Sequence, residues 1–256
     1  MTNFFKDTWL LFMRHLKKTL REPMWLFIGM LQPVLYLLLY MPLLKNMPGE
    51  NGQSQTMVET VRSFTPGMLI IMGMGGLFAG FSFIDEIRTG IIARWLVTPA
   101  SRLSIILSLV GNQLVTLILQ CVLLITVAFF FGLDVSLGGL ALTMVMVLMI
   151  GMCMSAASYA ISLTIQDEGA LASITNTFYL PVTLLSGILI PINDQAPQWL
   201  QTAASFNPFY YVVEGSRALF EAHPEDPMVW KGFVIMVAFT ALMLWLAMRA
   251  LSKMRA

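Results

Sequence analysis

Few residues in this chain could do chemistry, and most of them stand beside or inside apolar runs. The densest group is the stretch DEIRTGIIARWLVTPASR, residues 85–102. Glu86, Arg88 and Arg94 could pair with charges on a partner protein, or form the solvated face of a connecting loop. Gln32, Asn112, Gln113, Gln120 and Asn176 lie within apolar runs, where polar side chains hydrogen-bond across helices or face a cavity. His15 and His223 are the only histidines, and both lie outside the apolar runs, so no Ser–His pair and no intramembrane Asp pair can form. An intramembrane enzyme is therefore disfavoured, and no catalytic residue and no metal site are expected. No G-x-x-x-x-G-K-[ST] occurs, so a P-loop cannot cradle ATP phosphates here. Cys121 and Cys153 read as buried small apolar groups.

These side chains need elements to hold them, and composition says which. Of 256 residues, 57% are hydrophobic and 11% charged, against about 25% charged in soluble domains. So few charges cannot coat a water-facing surface, and the chain reads as an integral membrane protein. Its length suits one bundle of about six spans of roughly 20 residues each. The expected fold is all-α and polytopic, a single transmembrane domain over 1–256. Spans are expected at 24–44, 64–84, 103–132, 137–165, 170–192 and 228–250, with residues 45–63 polar between the first two. Residues 1–23 are amphipathic and basic, and are expected to form an interfacial helix rather than a cleavable signal. Phe5, Trp9, Phe12, Met13, Leu16 and Leu20 share one arc of it, and Lys6, Arg14, Lys17, Lys18 and Arg21 the opposite one, a pattern suited to an anionic leaflet.

Residues 193–227 form a re-entrant or interfacial segment rich in aromatics and prolines, with short helices at about 196–205 and 208–221. Asn207 and Pro208 supply an N-cap and a first-turn proline for the second. On it, Glu214 and Arg217 can pair locally. With the N-terminus inside, the inner segments hold Lys6, Arg14, Lys17, Lys18, Arg21, Arg88, Arg94, Arg102, Arg249, Lys253 and Arg255. The outer side holds Lys45, Arg62, Arg217 and Lys231. This bias puts both termini and 85–102 in the cytoplasm.

Within that cytoplasmic stretch, Ile84, Ile87, Ile91 and Trp95 share an arc, but Arg88 intrudes on it, and Asp85, Glu86, Thr89 and Leu96 lie opposite. Mixed faces suit a short helix with lipid or spans on one side and a protein on the other. Gly90 allows close approach or a bend, and Thr98-Pro99 ends the helix. An ordinary connecting loop fits the same composition. Gly76 with Gly80, and the run Ser155-Ala156-Ala157-Ser158, offer close-packing faces for a second copy, since one chain has few polar groups to line a pore alone.

The run I-D-E-I-R-T-G-I-I-A-R-W-L-V-T-P-A-S-R resembles the cytoplasmic segment of type-2 ATP-binding-cassette exporter permeases, with Thr89-Gly90 in place of the usual Gly-Thr. A second match is S-G-I-L-I-P at 186–191, P-Q-W-L at 197–200 and N-P-F-Y-Y-V-V-E-G-S-R-A-L-F at 207–220. Nearly the whole chain resembles that family, most nearly its drug-resistance branch. The resemblance implies two permease subunits, here a homodimer, above two copies of a separate ATPase that binds the ATP and Mg. It implies a multi-pass protein of the bacterial cytoplasmic membrane that exports amphipathic drugs or lipid-like compounds, a glycan precursor being the alternative; no nucleic acid is involved. Asp85, Glu86, Ile87, Arg88, Gly90, Trp95, Leu96, Thr98, Pro99 and Arg102 would couple to the ATPase. The pathway would lie largely between the first and fifth spans, at Asn176, Thr175, Thr177, Tyr179 and Gln32. Trp199, Asn207, Pro208, Glu214 and Arg217 would belong to the external helices.

Overall fold

A computed structural model describes residues 4–21, 24–44, 57–96, 101–188 and 197–253. The described residues are helical almost throughout. In chain order, α1 (Phe4–Arg21) precedes α2 (Met24–Leu44), and α3 (Met57–Met74) runs through a single 3₁₀ turn, Gly75–Phe78, into α4 (Ala79–Arg88). Then come α5 (Ile91–Leu96), α6 (Arg102–Phe130), α7 (Leu137–Ile165), α8 (Glu168–Leu185), α9 (Gln198–Ser205), α10 (Pro208–Phe220) and α11 (Pro227–Lys253).

Among the described residues, four stretches are long and apolar enough to cross a bilayer: Val61–Arg88, Arg102–Phe130, Leu137–Ile165 and Pro227–Lys253. A shorter apolar helix, Phe27–Tyr36, lies within α2. The chain is an all-α polytopic membrane protein. The central helix is α7, packed against α11, α3, α6, α4 and α10. Its N-cap is Ser136, whose side chain accepts from Gly139 N–H, and it ends at Gln166 in the left-handed region. Asp167 then caps α8 by accepting from Ala170 N–H. These polar residues turn the chain between α7 and α8 within two positions.

Buried apolar side chains form two clusters. The larger contains Met68, Leu69, Ile70, Val147, Ile150, Val212 and Phe220, where α3, α7 and α10 meet. The smaller contains Phe83, Ile92, Trp95, Ile105, Ile106, Tyr159, Ala247 and Leu251, at the end of the bundle where α1, α4, α5 and the C-terminal part of α11 come together. This second end carries Lys6, Arg14, Lys17, Lys18, Arg21, Arg88, Arg102, Arg249 and Lys253, and is called the basic end below.

Two sequence expectations change in detail. Residues 85–102 are not one short helix. Asp85–Arg88 is the last turn of α4, a turn follows at Thr89-Gly90, and α5 has only six residues. Gly90 takes φ +71°, and a Cβ there would meet nothing within 4 Å. The glycine thus serves a left-handed turn whose outer side is open. Thr98 and Pro99 lie outside the described residues, as do 189–196.

The second change concerns the small residues. Gly76 and Gly80 pack against α7 at Gly151, Ser155, Ser158 and Ser162, so the two stretches expected to face a second copy meet each other inside one chain. The contact is also polar. Ser158 Oγ accepts from Gly80 N–H at 3.0 Å and donates to the Leu77 carbonyl, while Ser162 Oγ lies 3.2 Å from Gly80 O. The 3₁₀ turn disrupts the i→i−4 ladder at bilayer depth, and serines from the neighbouring helix satisfy the groups it frees.

Candidate functional site

The segment Ile84–Leu96 is tied to the bundle by its alternate sides. Glu86, expected to face a partner, points inward and is 5% exposed. Its Oε1 lies 3.2 Å from Lys18 Nζ and 3.8 Å from His15 Nδ1, both on α1. Its other oxygen, Oε2, is buried without a hydrogen-bond partner. Trp95 is also buried. The His15 ring meets it edge-on at 5.3 Å, and the Arg14 guanidinium lies over it at 4.9 Å. One turn of α1 therefore grips both α4 and α5. Burial lowers the His15 pKa from its ordinary value; the Glu86 carboxylate opposes that shift, and Arg14 and Lys18 add to it.

On the exposed side, Arg88 reaches Glu168 Oε1 at 3.0 Å and Asp167 Oδ2 at 3.5 Å, linking α4 to the start of α8. Arg102 donates to the Ser252 carbonyl at 2.9 Å, joining α6 to the end of α11. Ser101 caps α6 by accepting from Ser104 N–H. Asp85 and Thr89 are exposed, Ile87 and Gly90 half-buried. The side chains of Arg94 and Leu96 lie outside the described set. Ile84–Leu96 and Arg102 thus contact α1, α8 and α11 at one end of the bundle.

The candidate pathway residues divide. Thr175 is buried, and its hydroxyl has no hydrogen-bond partner. Asn176 and Thr177 are exposed on α8, beside the exposed Phe178. Tyr179 is half-buried, its ring 5.8 Å from Phe78, which stacks on Phe81 at 6.2 Å. Gln32 Nε2 donates to Tyr36 Oη at 3.1 Å within α2. Phe78 and Tyr179 join the 3₁₀ turn to α8. The other amides pack: Asn112 bonds Thr19 of α1, and Gln120 is buried.

At the opposite end, Asn207 caps α10 by accepting from Phe209 N–H at 3.1 Å and donates to the Val182 carbonyl at 2.8 Å. Pro208 opens the helix. Arg217 pairs with Glu214 at 2.7 Å and also donates to the carbonyls of Gly187 and Ile188. Arg62 donates to the Phe220 carbonyl at 2.6 Å. Trp199 is exposed on α9.

Sequence reading missed His15, Ser162, the hydrogen bonds of Ser158 to the 3₁₀ turn, and Asp167 and Glu168 as partners of Arg88. A signal for His15 existed. Thr8, His15 and Thr19 recur on one side of α1 beside the apolar arc, a polar strip no lipid-facing helix needs. Among the described residues no three His, Cys, Asp or Glu side chains gather in a way that could hold a metal.

Comparison with known proteins agrees with this architecture. The chain is 29% identical over 205 residues to ycf38 of Pyropia yezoensis, covering 79% of this chain and 69% of that one. It is 26% identical over 225 residues to ycf38 of Cyanophora paradoxa, covering 86% and 77%. Both relatives carry the name of a transport permease. Residues 6–220 match the ABC-2 type transporter family, and the chain belongs to that family of membrane permeases.

Proposed function

We propose that the chain is the transmembrane subunit of an ATP-driven exporter, with ATP hydrolysed by a separate partner that docks on the basic end. The observation that carries this is the placement of Ile84–Leu96. It continues the broken span, it contacts α1 and α8, and its outer side presents Asp85, Thr89 and the Gly90 turn. A partner moving there would move three elements together. These 256 residues hold no P-loop, so the ATP site lies outside them. The inward Glu86 transmits the motion to α1; Asp85, Arg88 and Thr89 make the contact.

In this reading α2 and α8 are spans as well, which gives six. The Lys and Arg bias puts both termini in the cytoplasm of a bacterial inner membrane. The exposed Asn176 and Thr177 at bilayer depth support a second copy of this chain facing α2 and α8, because lipid cannot satisfy an amide. The face offered there, with Gln32, Phe78, Asn176, Thr177 and Phe178, carries no charged side chain. That favours uncharged or weakly charged amphipathic cargo, drug-like or lipid-like, over a charged glycan precursor. Resemblance of both motifs to exporter permeases supports outward transport.

The test is to purify the chain with any P-loop ATPase it retains, then introduce Asp85→Arg with Thr89→Trp. The pair should lose the ATPase and its cargo-stimulated hydrolysis while the permease stays inserted. Retention of the ATPase at the parental level and rate would rule out docking on this segment.

A further inference from the structure

α1 has three sides, where its sequence suggests two. With Thr8 taken as the reference and about 100° per residue, Leu11, Phe12, His15 and Thr19 lie within about 60° of it. This side is turned to the protein: Phe12 lies against Gly111 of α6, Thr19 hydrogen-bonds Asn112, and His15 meets Glu86 and Trp95. Next, at about 60–140°, come Phe5, Trp9, Met13, Leu16 and Leu20, of which Phe5, Trp9 and Leu20 are exposed. Beyond them, at about 160–220°, stand Lys6, Lys17 and Arg21 with Leu10, all exposed. Lys6, Lys17 and Arg21 make no ion pair among the described residues. The last two cations, Arg14 and Lys18, follow at about 240–280° and reach Trp95 and Glu86.

We propose that α1 binds acidic phospholipid headgroups through Lys6, Lys17 and Arg21, and that this binding steadies Ile84–Leu96 through Arg14, His15 and Lys18. The contacts to α6 and Glu86 fix how α1 is rotated about its axis. That rotation turns Phe5, Trp9 and Leu20 to the acyl boundary and sets the three cations beside them, at headgroup depth. A zwitterionic headgroup cancels its own phosphate charge. An acidic one does not, and each basic residue near such a surface gains about fivefold in affinity. A lipid that holds α1 against the bundle also holds the turn of α1 that grips Glu86 and Trp95. By linkage, a change in Ile84–Leu96 alters lipid affinity in return. The inference rests on the proposed role of residues 85–102 only for its consequence for ATP hydrolysis, and its test needs no ATPase.

The full chain is placed in nanodiscs of phosphatidylcholine, with and without phosphatidylglycerol, and amide hydrogen exchange is followed at residues 4–21 and 84–96. Phosphatidylglycerol should slow exchange severalfold in both segments of the parent. In a Lys6→Gln, Lys17→Gln, Arg21→Gln variant that lipid dependence should vanish, with residues 137–165 exchanging as in the parent. In Glu86→Gln, phosphatidylglycerol should still protect 4–21 in full but protect 84–90 less than in the parent. Equal protection of 84–96 in the triple variant, or no effect of phosphatidylglycerol on the parent, overturns the proposal. Loss of ATPase docking in the Asp85→Arg, Thr89→Trp variant bears on the coupling role alone.

Discussion

The two ends of the bundle are fastened in different ways. At the aromatic end, Arg62, Asn207 and Arg217 all donate to main-chain carbonyls, those of Phe220, Val182, Gly187 and Ile188. At the basic end, the long-range ties of Ile84–Leu96 are between side chains: Lys18 with Glu86, Arg88 with Asp167 and Glu168, and Arg14 and His15 on Trp95. A main-chain carbonyl has no rotamer of its own to adjust, so the first kind of contact is the stiffer one and rivets. Two side chains can part and meet again with each helix intact, so the second kind latches. Arg102, which donates to the Ser252 carbonyl, rivets α6 to α11 at the basic end as well, so the difference assigns motion to Ile84–Leu96 and rigidity to what surrounds it.

The contrast can be broken first at its rigid end. Arg217→Ala leaves Glu214 and two carbonyls without their donor and should destabilise the fold by about 3 kcal/mol. Thermal unfolding in detergent should show the loss, and a shift no larger than that of a surface control would mean the rivet is not one. Between the ends lies the 3₁₀ turn. A Cβ on Gly80 would collide with Ser158 and Ser162, so Gly80→Val should cost roughly 1–3 kcal/mol by overpacking. Ser158→Ala should cost about 1–2 kcal/mol by leaving Gly80 N–H unpaired. Arg88→Ala removes exposed pairs and should change stability by less than about 1 kcal/mol. A larger loss would show that Ile84–Leu96 is riveted too.

The latch also has a pH sign. Burial holds the His15 pKa below its unfolded value, so the neutral ring is the form that fits. Its contribution to docking is complete above the ordinary histidine value of about 6.5 and is lost as pH falls through the lowered one. Protection of residues 4–21, corrected for the intrinsic pH dependence of amide exchange, should therefore fall on acidification. His15→Gln, which does not titrate, should flatten that portion of the profile. An unchanged profile in His15→Gln would assign the effect to another group.

Much of this was legible because the bilayer makes sequence speak plainly. Arg102–Phe130 and Leu137–Ile165 lie within two residues of the apolar runs that announce them. Asn207-Pro208 opens α10 as its cap chemistry requires. What stayed hidden depends on which elements meet. Glu86 looks like a surface acid until α1 is seen to cover it. The break at Gly75–Phe78 lies in an uninterrupted apolar run, and Ser158 and Ser162, 81 and 82 positions from the carbonyls they bond, make it tolerable. Asp167 and Glu168 fall between the expected spans 137–165 and 170–192; their second task is to hold Arg88.

The most direct measurement follows amide exchange in the chain bound to the proposed ATPase partner, with the nucleotide site empty and then filled by a non-hydrolysable ATP analogue. Nucleotide should change exchange at residues 4–21 and 84–96 and leave 207–220 as it was. A change confined to 207–220, or none at 84–96, would contradict the assignment of motion to Ile84–Leu96.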